Sequence, residues 1–567
     1  MAEQEEEKRT ANGRWRPPGE DVGTRATDAR MPSLAGHPST PRWGRRGRIG
    51  SPPSLSFPIS MPVVVGETLS IDDVAAVARG ERATLSAGAA DRMRRFRQVV
   101  EDKVAAGETV YGLTTGLGSL ANVRLAPDEV RRLNHNLLRA HAVGVGQPLS
   151  EWEVRAMLLL RAHVLALGHS GVRPLIVERL LEFLDRDVLP VVPEQGSLGA
   201  SGDLAPLAHL ALPLIGEGEV AFERERMPAA VALEKAGLEP IELEPKEGLS
   251  LINGTQGMLA VGVLAAHRAR ELAKAADVAA AMTVEAALGT DRSFDQRIHR
   301  LRPHVGQSAS AANLRKLLAD SQIVSSHRES HHLVQDAYSL RCAPQVHGAF
   351  RDVLGFAEQV LTIELGSVSD NPIVLDDGEV VSGGNFHGQP VAVALDALAA
   401  ATVGLASISE RRLYRLLDPA TNNGLPAFLV EQAGLNSGFM LLQYTAASLV
   451  SECKSLAHPA AVDSIPSSAG QEDHVSMGMT AARHARDVVA DAEVVIALEA
   501  LAAAQGLELR KPLEPAKGTA AALAAIRQAV PFLEGDRPLK PDVDVSVELV
   551  QSGALLEAVE KATGPLA

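Results

Sequence analysis

Aromatic residues make up only 3% of the 567 residues, and cysteine occurs twice, at Cys342 and Cys453. Two thiols allow at most one bridge, which excludes a disulfide-stapled scaffold and fits a reducing cytoplasm. Both are expected to be buried thiols. With aromatics so scarce, the 46% hydrophobic content rests on Ala, Leu and Val, which favours close-packed helices over aromatic-rich sheets. The expected fold class is all-α. An excess of positive charge is also missing: 55 basic against 70 acidic residues leave a net charge of −15. That balance argues against clustered phosphate contacts, so no nucleic-acid partner is expected. The best membrane candidate, 391–409, is Ala-rich and interrupted by Asp396, which reads as a core helix and not as a span.

The length exceeds one usual hydrophobic core. Residues 1–60 hold eight of the 33 prolines, ten basic and seven acidic residues and two of the three tryptophans, with no sustained apolar period. They read as a disordered extension without a signal or transit pattern, and Met61 reads as the start of the ordered chain. Ser70-Ile71-Asp72-Asp73 has the form of a helix N-terminus. Long helices are expected over roughly 151–168, 257–288, 390–413, 436–455 and 479–505, the second and last ending at Gly289 and Gly506. Ile373-Val374-Leu375 and Glu379-Val380-Val381, joined through Asp376-Asp377-Gly378, read as a hairpin.

The chemistry centres on Ala200-Ser201-Gly202 within Gly196-Ser197-Leu198-Gly199-Ala200-Ser201-Gly202-Asp203. In a compressed backbone the Gly202 amide nitrogen can attack the Ala200 carbonyl carbon. Loss of two waters then gives a five-membered methylidene-imidazolone ring, a carbon electrophile that ordinary side chains do not provide. Gly202 has no side chain to obstruct the attack. The same residues could form a plain Gly-rich turn. Their surroundings decide: from about residue 65 to the C-terminus the sequence resembles the aromatic amino acid ammonia-lyases and aminomutases, in which this tripeptide cyclises autocatalytically.

The resemblance implies an elongated helical bundle of fumarase/aspartase-like architecture. A smaller N-terminal part, 61–250, would carry the electrophile loop and be followed by a central and C-terminal bundle, 251–567. It also implies a self-derived electrophile with no exogenous cofactor and no metal, and a homotetramer with shared active sites. Elimination of ammonia needs an activated leaving group and a base for the β-hydrogen. Tyr111, in the Gly-rich lid Val110-Tyr111-Gly112-Leu113-Thr114-Thr115-Gly116-Leu117-Gly118, is the candidate base and needs a setting that favours phenolate. In Gln335-Asp336-Ala337-Tyr338-Ser339-Leu340-Arg341, Tyr338 and Arg341 stand three apart and share a helix face. There Arg341 can grip an α-carboxylate bidentately while Tyr338 and Gln335 hydrogen-bond near the electrophile. Asn253 suits the ring oxygen or the substrate amine, and Phe386 packs beside the electrophile. Glu472, in Ser467-Ser468-Ala469-Gly470-Gln471-Glu472-Asp473-His474, matches the glutamate that faces an imidazole in histidine ammonia-lyases.

The selectivity pair that follows the lid is Ala140-His141. His141 occupies the position of the histidine enzymes, whereas Ala140 departs from the usual pairs. Met440 also resembles the histidine enzymes. Thr114 and Leu117 depart from their lid and leave aminomutase chemistry open. The reading is therefore elimination of ammonia from L-histidine to give trans-urocanate, with phenylalanine or tyrosine ammonia-lyase or an aromatic 2,3-aminomutase as alternatives. Outside that family, His327, His331 and His332 suggest a metallohydrolase, but Glu329 does not stand beside His327 as that motif requires. Ser201 lacks the spacing of a nucleophile elbow, and a purely structural bundle is the remaining option.

Overall fold

A side-chain cap opens the first helix of the described chain. Ser70 accepts the Asp73 amide proton at 3.1 Å while Asp73 accepts the Ser70 amide proton at 2.9 Å, a reciprocal cap that opens α1, Ile71–Ala78. The computed structural model describes residues 61–110, 112–116, 124–329 and 334–567. The expected extension 1–60, the lid residues Tyr111 and Leu117, and His331 and His332 lie outside the described residues. Residues 60–567 make up one unit.

The N-terminal region carries most of the short strands. β1 (Val63–Val65) and β2 (Ala83–Leu85) pair in parallel around α1. Among the elements that follow, those that position the site are α2 (Pro127–His141), β3 (Val145–Pro148), α3 (Glu151–Ala166), β4 (Pro193–Gln195) and α4 (Leu204–Ala211), with β3 antiparallel to β4. All of α3 from Glu153 to Ala166 is buried, so it is a core helix and not an amphipathic one. Strand β4 leads directly into the tripeptide loop, and α4 leaves it.

The rest is a bundle of long helices: α5 (Gln256–Ala286), the single turn α6 (Tyr338–Arg341), α7 (Ala343–Leu365), α8 (Gln389–Leu417), α9 (Met440–Leu456) and α10 (Gly478–Glu508). β5 (Ile373–Val374) and β6 (Val380–Val381) form the expected antiparallel hairpin. The expected long helices all appear, with two informative differences. α9 starts later than 436 because Asp536 accepts the Ser437 and Gly438 amides, each at 2.8 Å, and holds Gly438 at φ +53°. Gly506 does not end α10. A Cβ there would stand 2.9 Å from the Ala286 methyl, so the glycine serves close packing of α10 on α5. Cys453 is buried but Cys342 is half-exposed, because it occupies the start of α7 and not its packed face.

Helix α8 is long and apolar enough to cross a membrane by length and composition. In this fold it is a core helix, and two of its charges are spent inside the protein: Asp396 accepts the Ala461 amide at 2.8 Å and Arg412 meets Glu499 at 2.6 Å, both fully buried in the latter pair. Glu499 also accepts from Thr283 and Ser409. On the other side Arg412 donates to His347 Nε2 at 3.2 Å, and His347 Nδ1 donates to Asp277 at 2.7 Å. His347 is therefore the neutral Nδ1–H tautomer, in keeping with burial pushing its pKa down. This chain pins α5, α7, α8 and α10 to one register. Arg412→Met strands the Glu499 carboxylate and is expected to destabilise the fold by about 3–5 kcal/mol. A urea midpoint equal to that of the parent would show that the network contributes nothing.

Candidate active site

The tripeptide loop is held in a conformation that few sequences can adopt. Gly199, Ser201 and Gly202 all lie in the left-handed region, at φ +86°, +54° and +78°. For Ser201 this is strain that only its surroundings can impose. Gly199 bridges to Gly202 and Gly202 bridges to Gly254. The Gly254 amide donates to Ser201 O at 3.2 Å, and the Asp203 amide donates to Gly254 O at 2.8 Å. A Cβ on Gly202 would lie 2.1 Å from Gly254 O, and one on Gly199 would lie 2.3 Å from Ser476 Oγ. Ala200-Ser201-Gly202 is thus compressed between the 253–256 segment on one side and Ser476-Met477 on the other, where the Met477 amide also donates to Leu198 O at 3.2 Å. Such a cradle fits the ring-forming chemistry, which needs Gly202 and Ala200 forced together.

Buried charge lies beneath this loop. Asp203 is fully buried and accepts from Ser197 Oγ and the Met258 amide, each at 2.7 Å. Burial nevertheless wins and raises its pKa to about 6. Lys246 and Asp370 form a fully buried pair at 2.8 Å. Asn253 donates both amide protons to this region, to Asp370 Oδ1 and to Asn371 O at 3.1 Å each. Those acceptors fix its orientation, since Oδ1 would face a carboxylate if the amide were turned, and Oδ1 is the atom left for a ligand. Arg161, fully buried on α3, donates to Asn253 O at 3.1 Å and to Gln256 Oε1 at 2.7 Å.

A cleft of about 220 Å³ opens over the loop, lined by Ala140, His141, Ala200, Gly202, Ser467 and Glu472 among others. Ala140-His141 at the end of α2 and the acidic run before α10 thus meet over the tripeptide although more than 300 residues separate them in sequence. His141 Nδ1 donates to Leu137 O at 2.7 Å, which presents Nε2 as the remaining ring atom. Ser467 Oγ donates to Glu472 Oε2 at 2.6 Å and fixes that carboxylate at the rim. Phe386 is half-buried and stands beside His387, whose ring stacks on His474 with centroids 5.8 Å apart.

The other expected residues do not line this cleft. Gln335 is exposed, Tyr338 is 71% exposed, and Arg341 lays its guanidinium over the Tyr338 ring at 4.6 Å. Tyr338 and Arg341 do share the face of α6 that their spacing implied. Met440 is half-buried at the start of α9. Thr114 is buried and ties the lid base, accepting from the Val110 amide at 3.0 Å and donating to Glu108 O at 2.7 Å. The helix that would set His327 and His331 one turn apart ends at Ser326, and both His327 ring nitrogens face carbonyls, of Ile323 and Gly289. His327 therefore stands beyond the helix on which the metal-site spacing depends.

Residues 69–528 match the family model of aromatic amino acid lyases. The chain belongs to that family. It is 54% identical over 514 residues to a histidine ammonia-lyase of Sorangium cellulosum, an alignment spanning 89% of this chain and all of the relative. Among solved structures it resembles histidine ammonia-lyase from Trypanosoma cruzi, with a TM-score of 0.83, 44% identity and coverage of 89% and 96% of the two chains. It likewise resembles a tyrosine aminomutase from Streptomyces globisporus, with a TM-score of 0.85, 38% identity and coverage of 89% and 100%.

In this aromatic amino acid lyase four supporting residues escape sequence reasoning. Asp203 and Ser467 carry local signals, one following the tripeptide and the other heading the acidic run. Arg161 shows only as a charge inside the apolar Leu158-Leu159-Leu160-Arg161-Ala162, and Lys246 pairs with a residue 124 positions away. Because the folded pKa of Asp203 lies above its unfolded value of 3.8, its contribution to stability is present at low pH and is lost as pH rises through about 6. The wild type should therefore lose up to about 3 kcal/mol between pH 4 and 7 that Asp203→Asn does not. Urea midpoints measured across that range check this, and parallel curves for the two proteins would refute it.

Proposed function

We propose that the chain eliminates ammonia from L-histidine to give trans-urocanate, and that Ala200-Ser201-Gly202 closes to a methylidene-imidazolone. When formed, that ring supplies the carbon electrophile which lets the amino group leave. The observation that carries the reading is the cleft in which His141 and Glu472 stand over the compressed tripeptide. A carboxylate held by Ser467 is the partner an imidazole ring needs for its N–H, whereas a phenyl ring would cover it and offer no donor, at a cost.

Within this reading Arg341 receives the α-carboxylate and Tyr338 steadies the guanidinium from its face. Gln335 hydrogen-bonds beside them, Asn253 Oδ1 accepts from the substrate amine, Phe386 and Met440 wall the site, and Tyr111 takes the β-hydrogen. Tyr338 and Arg341 lie away from the cleft of their own chain, so we assign a homotetramer in which copies complete one another's sites. Exposed apolar side chains on α7, α8 and α9 suit that association: Ile363 at 64%, Val393 at 45% and Tyr444 at 57%. The free thiols fit a cytoplasmic setting.

The test supplies L-histidine, L-phenylalanine and L-tyrosine separately, follows each unsaturated acid by its ultraviolet absorption and scores β-amino acids by chromatography. Release of urocanate is expected, with Ser201→Ala inactive but folded. Turnover confined to phenylalanine or tyrosine would overturn the substrate, and a β-amino acid product would make the chain an aminomutase. Glu472→Gln should lower kcat/KM for histidine by roughly 10- to 100-fold, the value of one charged hydrogen bond at about 1.5–3 kcal/mol. An unchanged kcat/KM would remove Glu472 from recognition.

A further inference from the structure

Arg161 is the least expected charge in the fold. It sits on α3 with no exposed surface and takes part in no ion pair among the described residues. Its Nε and one terminal nitrogen meet no acceptor there. An unpaired buried guanidinium costs several kcal/mol and is poor material for stability alone. Burial even pulls its pKa down to about 10, against the opposing pull of Asp370. What it does touch is specific. One terminal nitrogen donates to Asn253 O and to Gln256 Oε1, bracketing Gly254 from below. A Cβ on Gly254 would lie 2.9 Å from that nitrogen and 2.5 Å from Gln256 Oε1. Gln256 is tied in turn through Nε2 to Ser369 Oγ at 2.8 Å.

Gly254 is also the residue that clamps the tripeptide, through its amide to Ser201 O and its carbonyl from the Asp203 amide. We propose that Arg161 is a positioning residue for formation of the electrophile, a rigid floor that presses Gly254 onto Ser201-Gly202 and so drives the Gly202 nitrogen toward the Ala200 carbonyl. The inference rests on the cyclisation proposed above. In that step a bond forms between Gly202 N and Ala200 C. The Ala200 carbonyl oxygen leaves as water with the amide hydrogens of Gly202 and Ser201. The Ser201 hydroxyl leaves as a second water with the Ser201 Cα hydrogen. No oxidant or reductant is required. Ring closure replaces planar amides by a strained adduct, so its rate depends on how firmly the backbone is preorganised. A soft floor would let Gly254 recede and the loop relax.

The test uses the full chain and weighs a peptide. Wild type, Arg161→Met, Arg161→Lys and Gln256→Leu are expressed, the folded fraction of each is isolated by size exclusion, and the proteolytic peptide holding residues 196–206 is weighed. The wild-type peptide should be two waters lighter than its sequence. Folded Arg161→Met should show at least a tenfold smaller converted fraction, with Arg161→Lys between the two. A merely structural role would reduce the yield of folded protein yet leave the folded molecules converted, and full conversion in folded Arg161→Met overturns the proposal. If Arg161→Met gives no folded protein, Gln256→Leu decides in the same way, since it removes the acceptor and keeps the arginine. An unconverted wild-type peptide would instead refute the cyclisation itself.

Discussion

The contact between Gly202 and Gly254 is the constraint on which the rest depends. Two backbones meet there without an intervening side chain, and a single methyl on Gly202 would come within 2.1 Å of a carbonyl oxygen. Hydrogen bonds on both sides of Gly254 convert that contact into a clamp, because Ser201 O and the Asp203 amide cannot both keep their partners if the loop swings away. The left-handed Ser201 is the visible consequence. Strain of this kind persists only where the frame is stiffer than the strained residue.

Two separate buried polar systems provide that stiffness. Under the loop, Arg161, Lys246, Asp370 and Asn253 join α3 to the segments before α5 and before the β5–β6 hairpin. Deeper in the bundle, Asp277, His347, Arg412 and Glu499 join α5, α7, α8 and α10. The first contains an arginine with nitrogens left over, whereas in the second each charge faces an opposite charge or a matched hydrogen bond. A buried network that is fully satisfied specifies register, while one with spare donors marks a place where structure is held for another purpose. Helix α10 connects the two, since its N-terminal Gly478 follows the Ser476-Met477 cover of the loop and its middle carries Glu499.

Much of this was readable in the chain. Long Ala/Leu/Val helices follow from composition and periodicity, and Ser70 and Asp73 announce their own cap. The tripeptide, His141 and Glu472 were each marked by short runs of residues whose chemistry is local. What could not be read was any feature that depends on distance through space. Gly506 carries the same letter as a terminating glycine, and only the Ala286 methyl opposite it reveals a packing role. Lys246 and Asp370 are 124 residues apart and share no pattern. The delayed start of α9 depends on Asp536, about a hundred residues downstream. The His327 spacing failed for the converse reason: four residues apart implies one helix face only if the helix continues.

The placement of Arg341 bears on how a carboxylate would be recognised in the proposed elimination. Its guanidinium carbon stands 4.6 Å from the centroid of the Tyr338 ring, a cation–π contact. Its N–H groups all lie in the guanidinium plane, a fork that a carboxylate can meet with two hydrogen bonds. The side chain is partly ordered before any ligand arrives, which lowers the entropy lost on binding. Tyr338 stays largely exposed in the single chain, and neither it nor Arg341 lines the chain's own cleft. A lysine at 341 would have neither a plane to stack nor a fork to aim, so the arginine is needed for its shape as much as for its charge.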